Sequence, residues 1–307
     1  MPTSARRLPP LADDMDAESL RAVIERTIPV YERTGRVGAA NAARELLARL
    51  ESTTDPAQRR QALAGTFRVL RVRDPLLLTS YYEPEIAVSE QPDDVYRFPI
   101  YRRPPDLTNP YLSRVEIDAG GLDGRRLELA WTDDPLELFS LHVQGSGRVR
   151  FPDGHVAGIR FAGTNGLPYK SLAAVLIRRG VLPKEEASMF AIRRLFAGLS
   201  MTEQHALMAE NPRYVFFTMT DGSRGPVGSM GVELTPGRSI ATDPDLVPAG
   251  TIGYLVTPTI RRFVVAQDTG AAIRGAHADL FAGSGDEAEQ FAGRQKERGT
   301  LYVLVPL

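Results

Sequence analysis

With 37 Lys and Arg against 38 Asp and Glu, this chain of 307 residues carries a net charge of -1 and no overall field to draw it to nucleic acid or an anionic membrane. The absence of cysteine excludes a disulfide framework, a thiolate nucleophile and a cysteine-built metal site, while 43% hydrophobic residues suffice for two ordinary domains or one domain carrying an insertion. No apolar run reaches the roughly 18 residues of a membrane span, and the start MPTSARRLPPLADD lacks the apolar core of a signal peptide, so the expectation is a cytoplasmic chain or one whose targeting segment has been removed.

After a proline-rich arm, the first 70 residues read as helices. Leu20, Val23, Ile24 and Ile28 mark one apolar stripe, Asn41 to Leu50 gives a second helix, and a third runs from Ala57 toward Leu70. Pro75 and Leu76-Leu77-Leu78-Thr79 lead into Tyr81-Tyr82-Glu83-Pro84-Glu85, a β-like entry broken by proline. From about Tyr101 to Ile159, short strands punctuated by Gly and Pro, such as Arg126 to Trp131 and Leu138 to Val143, predict a β-rich module, a small barrel. Tyr169 to Glu210 reads as helical, with Gly180 as a C-cap and Ser200 with Glu203 as a capping box, and Asn211-Pro212 ends the run. The remainder is mostly β: Tyr214 to Phe217, Gly231 to Leu234, Thr251 to Val256, Phe263 to Ala266 and Leu301 to Val305. The strand near Leu76 to Tyr82 is expected to join this C-terminal region, which makes residues 98–213 an inserted domain and residues 1–97 with 214–307 its host.

Within the C-terminal region, Val264 to Gly283 places Asp268 and Asp279 eleven residues apart at the ends of apolar runs, with His277 beside them. A hairpin-like return around the intervening glycines would bring both carboxylates onto one rim, as an acid site requires. Each aspartate also suits a turn or a helix cap, and Asp243 before Pro244 suits a structural turn. His277 and Asp279 find no third ligand at a diagnostic spacing among four histidines, so no metal is expected. His142 reads as packed in a strand. Gly145-Ser146-Gly147 has the spacing of neither a nucleophile elbow nor a dinucleotide loop and suits close backbone approach to a ligand or a tight turn. Glu83 and Glu85 form a rival carboxylate pair on one side of a strand. Arg102, Arg103, Arg125 and Arg126 read as solvated loop charges.

Taken in order, YYEPE at Tyr81 to Glu85, FPIYRRPP at Phe98 to Pro105, HVQGSGRV at His142 to Val149, AGTNGLPYKSL at Ala162 to Leu172 and NPRYVFF at Asn211 to Phe217 resemble the membrane-bound lytic murein transglycosylase A family. Asp243, Asp268 and Asp279 fit the acidic positions of the three-aspartate domain that closes those enzymes. The resemblance implies a mainly β fold with added α-helices: a double-psi β-barrel domain, an inserted second β-rich domain, and a groove between them for a peptidoglycan glycan strand. It puts the catalytic acid on Asp279. Family members are commonly outer-membrane lipoproteins, but this chain has neither a signal peptide nor a lipid-accepting cysteine, and Ala278 stands where the family often has a larger residue.

A glycosidic oxygen must be protonated as its bond breaks, so the acid has to keep its proton near neutral pH, well above the roughly 3.9 of a free aspartate. Burial against Leu280 and Phe281 and repulsion from Asp268 would both favour protonated Asp279. The resemblance implies a reaction in which the sugar's own C6 hydroxyl closes a 1,6-anhydro ring, with one residue serving as acid and then base. On that reading Gln144, Gly145, Ser146, Asn165 and His277 hold and orient the sugar, Tyr82 and Tyr169 support its faces, and Glu83 lines the groove. No cofactor is implied. The expected partner is the glycan strand of the periplasmic cell wall, met by a monomer working beside wall-synthesis or division proteins. A hydrolase on the same barrel, with Asp268 or Glu83 activating water, and a non-catalytic expansin-like wall-binding module are the alternatives.

Overall fold

A computed structural model describes all residues except 1–2, 5–10, 65, 73–74, 185–186, 188, 223–224 and 271–272. In chain order its strands and helices are β1 (Thr3–Ser4), α1 (Ala17–Arg33), α2 (Val37–Glu51), α3 (Pro56–Ala64), β2 (Phe67–Arg71), β3 (Leu76–Glu83), β4 (Glu85–Ser89), β5 (Phe98–Tyr101) and α4 (Arg114–Glu116). A π-helical turn, Ile117–Gly121, follows. Then come β6 (Glu128–Thr132), α5 (Pro135–Gln144), β7 (Ser146–Arg150), β8 (Val156–Thr164), α6 (Leu172–Arg178), α7 (Met189–Phe196), α8 (Met201–Met208) and β9 (Val215–Thr220). The chain ends with β10 (Ser239–Thr242), β11 (Ile252–Val256), β12 (Arg261–Asp268), β13 (His277–Ser284), α9 (Gly285–Arg294) and β14 (Lys296–Pro306). It divides into two compact units: Met1–Tyr82 with Gly225–Gly283 and Glu287–Leu307, and Glu83–Arg224 with Ser284–Asp286. The sequence pattern places the corresponding boundaries at 97/98 and 213/214.

In the first unit, β14, β11, β12, β10, β13 and β3 are neighbours in that order and β3 pairs back to β14, so six strands close a ring. The apolar run Phe263-Val264-Val265-Ala266 is buried on both faces. Phe263 and Val265 pack on the stripe of α1 and on α2, whereas Val264 and Ala266 turn inward to Leu76, Leu78, Ile240 and Leu280. One buried cation ties the N-terminal segment to this barrel: Arg238, 0% exposed, donates to Asp13 Oδ2 at 2.7 Å, to the Phe263 carbonyl at 3.0 Å and to the Asp16 carbonyl at 2.9 Å.

In the second unit the sheet order is β5-β6-β4-β7-β8-β9, and a bridge between Arg102 and Phe217 joins its two edges around a core that includes Ile86, Val88, Ile100, Val149 and Ile159. Helices α6, α7 and α8 form a separate apolar cluster with Leu136 and Phe139. The capping box at Ser200 and Glu203 is formed, and Gly180 adopts a positive φ just past α6.

Four sequence expectations are corrected. Leu138 to Val143 is helix, not strand: Asp134 caps it, Pro135 occupies the first turn, and Gly145 closes it at φ +78°. The third helix stops at Ala64, and Phe67–Arg71 becomes a strand because β14 offers it a ladder from Phe67 to Arg71. Gly231 to Leu234 forms no strand beyond a single Val227–Glu233 bridge, since Gly231 is spent in a tight turn back to Gly228. The return between Asp268 and Asp279 is not a hairpin either: β10 lies between β12 and β13, parallel to the first and antiparallel to the second.

Candidate active site

The inserted β10 strand is what aligns the acids. A register slip pairs Ala241 with Asp268 on one side, and Ala241 pairs with Asp279 on the other, so the two aspartates stand in one row about two strand spacings, roughly 10 Å, apart at Cα. On β13, alternation sends Ala278 and Leu280 into the barrel core and leaves His277, Asp279 and Phe281 on the opposite side. Burial of Asp279 therefore owes nothing to Leu280, contrary to the sequence expectation. On the neighbouring β3, Leu76 and Leu78 face the core and Thr79 and Tyr81 turn to the side of the acid.

Thr79 Oγ1 donates to Asp279 Oδ1 at 2.6 Å and lies 2.8 Å from His277 Nε2. A hydroxyl has one proton to give, so with that proton directed at Asp279 the histidine meets Thr79 as a donor through Nε2–H. Asp279 Oδ2 has no partner among the described residues. Burial pushes the Asp279 carboxyl above the ordinary aspartate range; the Thr79 hydrogen bond and His277 pull it down, and Asp268 adds the smallest push upward. The result is a carboxyl with one oxygen tethered and the other open, biased toward carrying a proton.

Asp268 is held far more completely. Its Oδ1 accepts the N–H groups of Ser229 and Thr269, each at 2.9 Å, and its Oδ2 accepts the Tyr81 hydroxyl at 2.9 Å. Burial, helped by the charges of Asp268 and Asp279, pushes the Tyr81 phenol far up, so it remains a donor; its ring packs 5.4 Å from Phe281. Asp243 accepts the N–H of Gly275 at 2.7 Å and of Asp245 at 3.2 Å, fixing the loop that feeds β13, in keeping with a structural turn.

The other expected site residues divide sharply. Asn165, 0% exposed, donates to the carbonyls of Leu112 and Pro212 and accepts from the N–H groups of Tyr214 and Leu167, which uses its whole hydrogen-bonding capacity on the backbone. Glu83 is buried between Arg160 at 2.7 Å and Ser284 at 2.8 Å. Neither side chain is available to a sugar or to a water. Tyr82 donates to Glu289 at 2.8 Å, and Glu85 pairs with Arg150 at 2.6 Å. Gly145 serves as the helix C-cap, and Gly147 lets the chain pass Pro84 and Leu141, against which a Cβ would sit under 3.0 Å. His142 is buried and stacked on Phe217, in a helix. Gln144 and Tyr169 are exposed and Ser146 is half-buried. Thr79 is the site residue that sequence reasoning passed over. Its signal was a hydroxyl at the end of an apolar run, on the face opposite Leu76 and Leu78, which pack in the core.

Residues 77–218 match the MltA specific insert domain and residues 238–305 match the 3D domain. The membrane-bound lytic murein transglycosylase A of Vibrio cholerae is 34% identical over 242 residues, covering 75% of this chain and 65% of that protein. The Escherichia coli protein of the same name is 36% identical over 239 residues, covering 74% and 64%. The matched part thus spans just under two thirds of the length of these curated relatives. Among solved structures, E. coli MltA with bound chitohexaose superposes at a TM-score of 0.86 with 28% identity, covering 99% of this chain and 94% of that one. The lytic transglycosylase LtgG of Burkholderia pseudomallei is 34% identical at a TM-score of 0.66, with coverages of 99% and 94%.

Proposed function

The chain belongs to the membrane-bound lytic murein transglycosylase A family, and on that footing we propose that it cleaves the β-1,4 bond between N-acetylmuramic acid and N-acetylglucosamine in peptidoglycan, leaving 1,6-anhydromuramic ends. The observation that carries this reading is the half-tethered carboxyl of Asp279. Asp279 Oδ2–H gives its proton to the glycosidic oxygen as the C1–O bond breaks. The C6 hydroxyl of the same muramic residue attacks C1, closing the anhydro ring, and its proton passes to the Asp279 carboxylate, which regains its starting state. No water is consumed and no second base is needed. Thr79 holds Oδ1 throughout, and its hydrogen bond strengthens as the carboxylate forms.

The same geometry weighs against hydrolysis. A hydrolase needs a second carboxylate free to activate water or attack the sugar, yet Asp268 spends both oxygens on Tyr81 and two backbone N–H groups, and Glu83 is locked in an ion pair. A relative holds chitohexaose, and a chain of β-linked amino sugars is the ligand class carried over here. Among the described residues no helix is long and apolar enough to cross a membrane; the proposed substrate, wall glycan, is what supports a periplasmic setting for the reaction. Mass spectrometry of digested peptidoglycan is the test: anhydro ends support the proposal, hydrated reducing ends indicate a hydrolase, and intact glycan indicates a binding module.

A further inference from the structure

The second unit contains a cavity of about 450 Å³, lined among others by Tyr101, Arg114, Asp118, Asp123, His205 and Tyr214, all within that unit. Its volume falls in the range of small-molecule sites. The reaction proposed above uses none of these residues.

Arg114 dominates its chemistry. The side chain is 3% exposed, and its guanidinium lies 4.8 Å from the Phe139 ring and 5.1 Å from the Tyr214 ring. Nε donates to the Asn211 carbonyl at 3.1 Å, and Nη2 donates to the Arg213 carbonyl at 2.9 Å and to His142 Nδ1 at 3.0 Å. Nη1 makes no hydrogen bond to a described residue and is not sealed from solvent, so its two donors are left to the cavity that Arg114 lines. Among the described residues no carboxylate pairs with the guanidinium directly; the charge of Asp118, on the same cavity, offsets only part of the cost of burying it. His142 offers no compensation: burial, and then Arg114, hold its pKa well below the ordinary histidine value, so it sits there as a neutral acceptor.

The cavity also has an acidic wall. Asp118 lies in the π-helical turn Ile117–Gly121, makes no hydrogen bond or ion pair with a described residue, and opens into the space. Asp123 stands nearby on the same wall, and Tyr101 and Tyr214, 6.4 Å apart, supply aromatic surface. A simple anion would satisfy Arg114 but be repelled by the two aspartates, and a neutral sugar would leave Arg114 and Asp118 without a direct ionic contact.

We infer that this cavity binds a free, short zwitterionic peptide, with its terminal carboxylate on Arg114 Nη1 and its terminal ammonium on Asp118. Short peptides released from the wall glycan, with both termini free, are the natural source; that identification rests on the function proposed above, whereas the binding itself does not.

The test is titration calorimetry with D-alanyl-D-alanine, its C-terminal amide and its N-acetyl derivative, with ring resonances of Tyr101 and Tyr214 followed by NMR. The dipeptide is expected to bind at one site and shift those resonances, while the amide binds about tenfold more weakly or worse, as befits lost hydrogen bonds to a charged group. Asp118→Asn should weaken the dipeptide about tenfold and leave the N-acetyl form unaffected. No saturable binding into the millimolar range, shifts confined to other residues, or equal affinity for all three compounds would each overturn the proposal. Because binding is read without turnover, and Asp279→Asn should retain it, failure of this site and failure of the cleavage reaction are separate results.

Discussion

The barrel face around Asp279 and the interior around Asn165 use similar polar residues to opposite ends. Asn165 reaches four backbone groups and has no capacity left, so it fastens the segment at Leu112 to the segment at Pro212 and Tyr214. Asp279 is given one hydrogen bond and left with an open oxygen, although burial makes an ionised carboxylate costly there. A saturated polar group stabilises a fold, and an unsaturated one, held rigidly, is available for chemistry. The comparison separates site from scaffold more sharply than residue type does, since Asn, Glu and Asp occur in both roles.

The comparison breaks most visibly if Asp279→Asn remains active. Loss of the only transferable proton should lower turnover by about 10²- to 10⁴-fold with glycan binding retained, measured by anhydro-end release alongside pull-down on insoluble wall. The same variant should be more stable near neutral pH. Because the folded-state pKa of Asp279 is raised, the carboxyl favours the fold below its unfolded value of about 3.9, and that contribution is lost as pH rises through the folded pKa. Removing the group removes this slope, and melting curves at acidic and neutral pH will show it.

Asn165→Ala tests the other side. It strands the Leu112 carbonyl and the N–H groups of Tyr214 and Leu167, while Pro212 keeps the Arg114 N–H, at about 1–3 kcal/mol for each buried group left unpaired, so a large fall in melting temperature is expected. Whatever folded fraction remains should cleave with an unchanged pH profile. An altered profile would mean that this side chain contributes to the chemistry after all.

Thr79→Val sharpens the contrast within the site. The lost hydrogen bond favours the ionised acid, so its removal raises the pKa of Asp279 further and moves the alkaline fall in rate to higher pH, with turnover about tenfold lower from the untethered carboxyl. The smallest effect belongs to Asp268→Asn, which removes the weakest upward push. It should move the same limb slightly toward lower pH, by less than the Thr79 variant moves it upward.

The parts of this arrangement that were legible in the sequence depend on local pattern. The stripe Leu20, Val23, Ile24 and Ile28, the strand Phe263 to Ala266 and the acidic pair at the ends of apolar runs all follow from periodicity. What was hidden depends on strands distant in sequence. Nothing near Asp268 or Asp279 announces that Ser239–Thr242 will insert between them, and nothing near Thr79 announces that β3 will border β13. Asn165 misled because an amide beside glycines looks like a ligand donor until its four backbone partners are known. The helix at Leu138 carries a local start signal, Asp134-Pro135, which competes with the strand pattern punctuated by Gly and Pro around it.

The central claim concerns the proton on Asp279, and it can be read directly by following the side-chain carboxyl carbon of Asp279 through an NMR pH titration of the intact protein, assigned by difference against Asp279→Asn. A midpoint clearly above the roughly 3.9 of a free aspartate, coinciding with the alkaline fall in cleavage rate, is the predicted result. A midpoint at or below that of a free aspartate, with cleavage undiminished well above it, would contradict the assignment.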